Sequence, residues 1–314
     1  MSRVMTSRIR IGRYVFNNRI NSVSVKSSWK ELSDTAVIKL ANLKSLANER
    51  SDDLIKVGDS VLIELGYDNN FKTEFTGYVS RIKPSIPLEI ECEDQMWKLK
   101  QSTISQSWKS TTLREVLNTI VPDSIIDCPD ITLSPFRLDN VSPAKALQRL
   151  KEEYMLCAYV RDGKLHVGLP YFETLGTIIY HFQKNIPKQQ GSLEYRTASD
   201  LKIKVKAISV MPNNTREEIE VGDDDGDTTT MHYYNKTKAE LKPLAEQKIQ
   251  ELKVDGYKGS IAAFGQPFAT HGMVVDLRDD RYPARAGKFF VDSVSTEFSS
   301  SGFRRTIELG RRAQ

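Results

Sequence analysis

Val57-Gly58-Asp59-Ser60-Val61-Leu62-Ile63-Glu64-Leu65-Gly66-Tyr67, followed by Phe75-Thr76-Gly77-Tyr78-Val79-Ser80-Arg81-Ile82, is the stretch on which the reading of this chain turns. It holds a glycine turn, a strand ending in acid-leucine, a polar loop, a second glycine and another strand. The same order returns near the other end as Gly272-Met273-Val274-Val275-Asp276-Leu277 and then Gly287-Lys288-Phe289-Phe290-Val291-Asp292-Ser293-Val294. The glycines lie 19 residues apart in the first copy and 15 in the second, a difference the loop absorbs. Gly58, Asp59, Leu65, Gly77 and Val79, with Gly272, Leu277, Gly287, Val291 and Gly302, are the expected structural motif. Two similar β-modules on one chain allow three copies to form a ring of six modules.

With 314 residues the chain has room for two or three domains, each with its own core. A composition of 39% hydrophobic and 27% charged residues is that of an ordinary globular protein. No apolar run has the length of a membrane span, and Met1-Ser2-Arg3-Val4-Met5-Thr6-Ser7-Arg8 lacks the apolar segment of a secretory signal. Folding in a cytoplasm is expected. Cys92, Cys128 and Cys157 are odd in number and widely spaced, so neither a disulfide framework nor a zinc site is indicated. The net charge of +4 comes from 45 basic and 41 acidic residues, interspersed rather than gathered into the basic face of a nucleic-acid binder.

Outward from the opening stretch, the first hundred residues alternate apolar and polar at period two. Arg8–Ile11, Asn21–Lys26, Ala36–Leu40 and Leu88–Glu93 join the two strands already quoted. Several short strands with Gly and Asp-Asn turns predict a small barrel or sandwich. Thr112-Leu113-Arg114-Glu115 is a capping box, and Leu113, Val116, Leu117 and Ile120 share one face of the helix that follows, up to Pro122. Ser142-Pro143 opens a second helix with stripe Ala146, Leu147, Leu150 and Tyr154. A hairpin comes next, turning at Asp162-Gly163. Leu201–Ile208 alternates apolar residues with lysines; residues 211–230 are polar and predict a projecting hairpin or loop around a strand at Glu217–Val221. Thr237-Lys238-Ala239-Glu240 starts a third helix with stripe Leu241, Leu244, Ile249 and Leu252, and four strands close the chain.

The expected fold class is therefore α+β and β-rich: two small barrel-like β-modules with a small α+β insert between them. The expected division is an N-terminal module over 1–100, the insert over 101–186, and a C-terminal module over 187–314 with one helix and the polar loop.

Catalytic signatures are lacking. His166, His181, His232 and His271 form no metal-binding spacing, and neither GxxxxGK nor GxSxG occurs. Asp223-Asp224-Asp225-Gly226-Asp227 fails as a calcium loop, because setting Gly226 at its sixth position puts Val221 and His232 at the two ends where acids belong. The acid pairs Glu91/Glu93 and Asp279/Asp280, with Trp29, Trp97 and Trp108, leave a carbohydrate-active or cell-wall-degrading protein as the alternative reading. An oligonucleotide-binding barrel is weaker still on charge. No catalytic, cofactor-binding or metal residue is assigned.

The order of elements resembles the baseplate hub family of contractile phage tails, also called late control protein D, which shares its fold with the N-terminal part of type VI secretion spike proteins. The resemblance is carried by Val57–Ile82, by Ile90–Asp94 with Trp97-Lys98-Leu99-Lys100, by Ser142–Leu147 running into the Asp162–Leu165 hairpin, and by Gly272–Leu309 with Ser301–Thr306 and Leu309-Gly310-Arg311-Arg312. It implies a non-enzymatic structural hub without cofactors. Such a hub is a homotrimer whose modules alternate around a pseudo-sixfold ring joining the tail tube to the central spike. The implied partners are the tube protein, a separate spike protein (the chain ends at Gln314 without a needle extension) and other baseplate proteins. Specific nucleic-acid binding and membrane insertion are not expected. The implied location is the baseplate of a virion tail or phage-like particle, including prophage-encoded ones, assembled in a bacterial cytoplasm.

Overall fold

The computed structural model describes residues 3–40, 54–122, 125–133, 135–154, 156–161, 163–168, 171, 175–187, 192–211, 213 and 215–313. Asp162 of the expected hairpin turn, Pro212 and Asn214 of the polar loop, and Met1, Ser2 and Gln314 lie outside these residues.

The N-terminal strands are β1 (Met5–Ile11), β2 (Tyr14–Asn17), β3 (Ser22–Ser28), β4 (Thr35–Leu40), β5 (Ser60–Tyr67), β6 (Asn70–Lys83) and β7 (Leu88–Glu93). Period-two alternation puts Val23, Val25, Ile38, Val61, Ile63, Ile90 and Cys92 into one core. β2 was not expected from the sequence. It is too short to show a period and forms because the chain turns at Gly12 (φ +53°) and pairs back onto β1.

The middle region begins with a 3₁₀ turn over Gln95–Lys100. It continues as β8 (Ile104–Trp108), β9 (Thr111–Thr112), α1 (Leu113–Ile120), β10 (Ile125–Asp127), β11 (Thr132–Leu133), β12 (Phe136–Val141), α2 (Pro143–Tyr154), β13 (Cys157–Arg161) and β14 (Lys164–Gly168). The Thr112 hydroxyl accepts from Glu115 N at 3.2 Å, and the Glu115 carboxylate accepts from Thr112 N at 3.0 Å. The capping box thus supplies partners that the helix start lacks. Leu113, Val116, Leu117 and Ile120 of α1 meet Ala146, Leu147, Leu150 and Tyr154 of α2 in a second core.

The remaining elements are β15 (Thr177–His181), β16 (Glu194–Arg196), β17 (Ile203–Val210), β18 (Arg216–Gly222), β19 (Asp227–Tyr234), α3 (Lys238–Leu252), β20 (Gly256–Phe264), β21 (Val274–Arg278), β22 (Gly287–Ser299) and β23 (Gly302–Arg312). β17 lies between β18 and β19, and Leu241 and Ala245 of α3 cover Ile203, Val205 and Ala207. Much of the polar stretch 211–230 is therefore strand. Its β-branched run Thr228-Thr229-Thr230 pairs in register with Lys204, Val205 and Lys206, so strand propensity and an available edge outweigh polarity. β15 falls before the expected boundary at 186, yet it pairs with β21 of the C-terminal half. Among the described residues no helix is long and apolar enough to cross a membrane.

Both halves share one sheet. Its order is β16-β20-β23-β22-β3-β4-β7-β6-β5-β1-β2, with β21 also on β22 and β15 on β21. The chain is α+β and β-rich as expected, and among the described residues no pairing closes either half into a barrel. The reason lies in β22. It pairs with β21 through Phe290 and, past a bulge, with β3 from Ser293 onward. The edge that would close a separate C-terminal barrel is occupied by the N-terminal half.

Candidate functional site: the junction of the two halves

The backbone shows how deep the internal echo runs. Gly58 N donates to Val79 O at 2.8 Å, and Val79 N donates to Asp59 O at 2.9 Å. Gly272 N donates to Val291 O at 3.2 Å, and Val291 N donates to Met273 O at 2.9 Å. Gly58 and Gly272 both take left-handed conformations, φ +93° and +83°, that suit glycine. Val79 faces Cys92 and Arg81 faces Glu91; Val291 faces Leu309 and Ser293 faces Glu308. Each long strand thus gains one extra residue, Ser80 or Asp292, at the same place.

Extending these registers matches β3, β4, β5, β6 and β7 with β16, β20, β21, β22 and β23, in the same chain order. Ile38/Ile261, Val61/Val275, Ile63/Leu277, Val79/Val291, Ile90/Ile307 and Cys92/Leu309 become equivalent core pairs, all buried. Two details differ from the sequence alignment. Leu277 matches Ile63 rather than Leu65, and Gly77 and Gly287 are offset by two positions. Gly77 faces Val61, and Gly287 faces Leu277. The Phe75 ring lies against Gly77 and the Phe289 ring against Gly287, so the glycine and phenylalanine have exchanged places. Gly302 (φ +133°) turns β22 into β23.

Where β3 meets β22, a polar seam joins N-terminal half, insert and C-terminal half. Arg161 Nη2 approaches His271 Nε2 at 3.0 Å, and His271 Nδ1 lies 2.6 Å from Ser27 Oγ. An arginine only donates, so Nε2 accepts and Nδ1–H donates to Ser27, whose hydroxyl in turn donates to Asp34. Asp34 also accepts from Ser28 N at 3.1 Å. Burial and the nearby Arg161 charge push the His271 imidazole down to about 3. Burial, reinforced by Asp94, pushes the Asp34 carboxyl up to about 7, against the pull of its Ser27 and Ser28 hydrogen bonds and of Arg161. The neighbouring cavity, lined by Trp29, Tyr159, His166 and Tyr171 among others, has a volume of about 20 Å³, room for about one water. The bulge residue Asp292 accepts from Trp29 Nε1 at 3.2 Å, pairs with Lys30 at 2.8 Å and accepts from Tyr171.

A second tie is a buried ion pair between β6 and β23. Arg305 Nη1 donates to Glu74 at 2.8 Å and Nη2 to its other oxygen. Nε donates to Gly265 O and Nη1 to Thr296 Oγ1, both at 2.8 Å. The two side chains are 1% and 2% exposed. Burial pushes the Glu74 carboxyl up against the opposing effect of Arg305. Sequence reasoning missed this pair, although Phe303, Arg305, Ile307 and Leu309 alternate and so place Arg305 on the core face. The His271–Asp34 seam left no sequence signal, since topology alone brings its members together.

The residues considered for chemistry are scattered. Among the described residues no group of three or more His, Cys, Asp or Glu is placed to hold a metal. Glu91 pairs with Lys83 and Glu93 with Lys100. Asp279 accepts from Gln183 at 2.7 Å, and Asp280 meets His181 at 2.9 Å. Trp97 stacks on Tyr78, Trp108 tilts against Phe136 and Trp29 meets Tyr171 edge-on, so the tryptophans form no common platform. His166 stacks on Tyr159, and His232 is part-buried on β19, where burial lowers its pKa. In the acidic turn, Asp223 pairs with Lys253, Asp225 with Lys202, and Asp227 with Lys258 and Arg196. Lys206, on the alternating lysine strand, pairs with Glu218 at 2.8 Å. The three thiols are buried; burial pushes Cys92 up to about 12 and Cys157 to about 11.

No family model and no curated protein matches the sequence. Solved structures do match the fold. A tail protein from Neisseria meningitidis aligns over 99% of this chain and 97% of its own at 14% identity, TM-score 0.62. The 43 kDa tail protein of prophage MuSo2 from Shewanella oneidensis aligns over 98% of both chains at 13% identity, TM-score 0.61. The E. coli c3393 protein is a type VI secretion component described as similar in structure to the T4 tail proteins gp27 and gp5. It aligns over 98% of this chain and 77% of its own at 8% identity, TM-score 0.61. The chain thus has the fold of phage tail proteins and of type VI secretion spike-related proteins.

Proposed function

We propose that this chain is the structural hub of a phage-like contractile tail or a related injection machine. Three copies close a trimeric, pseudo-sixfold ring that connects the tail tube to the central spike. The ring-forming modules are residues 1–100 and 187–314 together with β15, and the remainder of 101–186 is the insert between them. The observation that carries the reading is the strand-for-strand repeat, whose halves are already joined side by side through β22 and β3. A repeat whose two units contact each other head to tail is the arrangement that generates a closed ring when copies add by the same contact. The fold shared with tail proteins supports it. So does the dispersal of the acids, each held by a cation, an amide or an imidazole, which favours a structural over a hydrolytic role. The place of work is then the baseplate, beside tube, spike and other baseplate proteins. Light scattering at tens of micromolar is expected to give the mass of three chains; a monomeric mass there would overturn the reading.

A further inference from the structure

We infer that neighbouring copies of this chain meet strand to strand: β16 of one copy adds to the bare outer edge of β6 in the next, in the register with which β3 adds to β22 within a chain. This rests on the ring reading and names the contact that closes it. Past its bulge, β22 carries β23 on one side and β3 on the other. Past the matching bulge, β6 carries β7 on one side and, among the described residues, no strand on the other. β16, the counterpart of β3, pairs only with β20 among the described residues. A vacant edge and the strand that fits it therefore sit at opposite ends of the repeat.

Burial points to the same two edges. Val294 of β22, covered by β3, is 4% exposed, whereas its counterpart Ile82 on β6 is only half-buried. Val25 of β3 is 3% exposed, whereas its counterpart Leu193, just before β16, is half-buried. Bare edges of this kind leave main-chain donors and acceptors open to pairing with another chain.

Within the chain, Ser293, Val294 and Ser295 face Ser28, Ser27 and Lys26. Carried across the repeat, this sets Arg81 opposite Arg196, Ile82 opposite Tyr195 and Lys83 opposite Glu194 of the next copy. Ile82 and Tyr195 fall on the core side, where each covers the other. Lys83 lies across from Glu194 and Arg81 lies diagonal to it. The like-charged Arg81–Arg196 pair is eased by Asp227, which meets Arg196 at 3.1 Å. Each copy offers one such edge and one such strand, so three identical contacts leave none of these β6 and β16 edges open.

The test uses the full chain carrying Lys83→Cys and Glu194→Cys, treated with a short bifunctional thiol reagent. Lys26→Cys with Ser295→Cys, the same register within one chain, provides the reference yield. The expected result is a denaturing-gel ladder ending at a covalent trimer for K83C/E194C, and no ladder for either single variant. A trimeric mass in solution with a reactive reference pair but no K83C/E194C ladder would overturn the strand contact and leave the ring reading standing. A monomeric mass would overturn the ring reading itself, and the contact with it.

Discussion

Arg305→Met removes a charge from the tie between β6 and β23 while keeping much of the side chain's bulk. Three partners lose their donor: Glu74, the Gly265 carbonyl and Thr296. Glu74 is the costly one, since its side chain is 2% exposed and water cannot take the place of the guanidinium. Breaking a buried pair by deleting one partner costs about 3–5 kcal/mol. At roughly 2 °C per kcal/mol for a chain of this size, melting falls by roughly 6–10 °C. Glu74→Gln in the Arg305→Met background removes the stranded charge, and the double variant should recover about 2 kcal/mol of the deficit. The single variant's deficit should also shrink as the pH falls, because Glu74, whose carboxyl burial already pushes up, can then take a proton. Urea unfolding followed by tryptophan fluorescence across pH measures all three effects. A deficit below about 1 kcal/mol, or a double variant no more stable than the single one, would refute the account of a buried pair whose loss strands a charge.

The glycine register gives a sharper contrast. A Cβ at Gly77 would overlap the Glu93 carbonyl oxygen, which the ladder cannot move, whereas one at Gly287 would lie 3.1 Å from the Phe289 ring. Gly77→Ala should therefore cost about 3 kcal/mol or more and Gly287→Ala about 1 kcal/mol or less, read as urea midpoints; equal costs would count against the offset register. In the seam, His271 has a folded-state pKa depressed to about 3, so its contribution is present above about pH 6.5 and fades as the pH falls toward 3. His271→Gln can keep both hydrogen bonds and should flatten that acid slope, worth at most roughly 5 kcal/mol. Asp34 has the opposite sign: raised to about 7, it costs nothing below about pH 3.8 and progressively more as the pH rises through 7. Asp34→Asn should therefore gain on the wild type between pH 4 and 7, in thermal melts at stepped pH. Thr112→Ala, which strips the α1 cap, should cost about 1 kcal/mol and appear as faster hydrogen exchange within Leu113–Ile120.

Much of the fold is legible wherever the local pattern sets the structure. The N-terminal strands alternate because one face is buried. α1 announces itself with a capping box that the structure makes in full, and α3 with one in which the Glu240 carboxylate accepts from Thr237 N. Legibility fails where a neighbour sets the structure. β15 and β16 are strands because β21 and β20 offer edges, and Thr177–His181 and Glu194–Arg196 carry little alternation of their own. The second glycine of the repeat was misaligned for a related reason. A ring packs over a glycine equally well from either side along the strand, so glycine and phenylalanine can trade places while the hydrogen-bond register stays fixed. The seam lies further still from sequence reasoning, since Asp34, Arg161 and His271 come from three regions of the chain.

The two halves agree and differ in different places, and that bears on the hub reading. Equivalent core positions keep their class, as Ile38/Ile261 and Ile90/Ile307 do, and the bulges coincide. The halves part company between strands. β7 leads into the helical insert, while β16 and β20 are separated by β17, β18, β19 and α3. On the ring reading, the shared sheet repeats six times around the axis and the two kinds of insertion three times each. A surface built from the sheet could then meet a sixfold partner, and one built from the insertions a threefold partner. The same division explains why the seam is polar and specific. His271, Ser27 and Asp34 sit where one half must be told apart from the other, and a hydrogen-bonded relay fixes that pairing in a way that apolar packing between similar sheets would not.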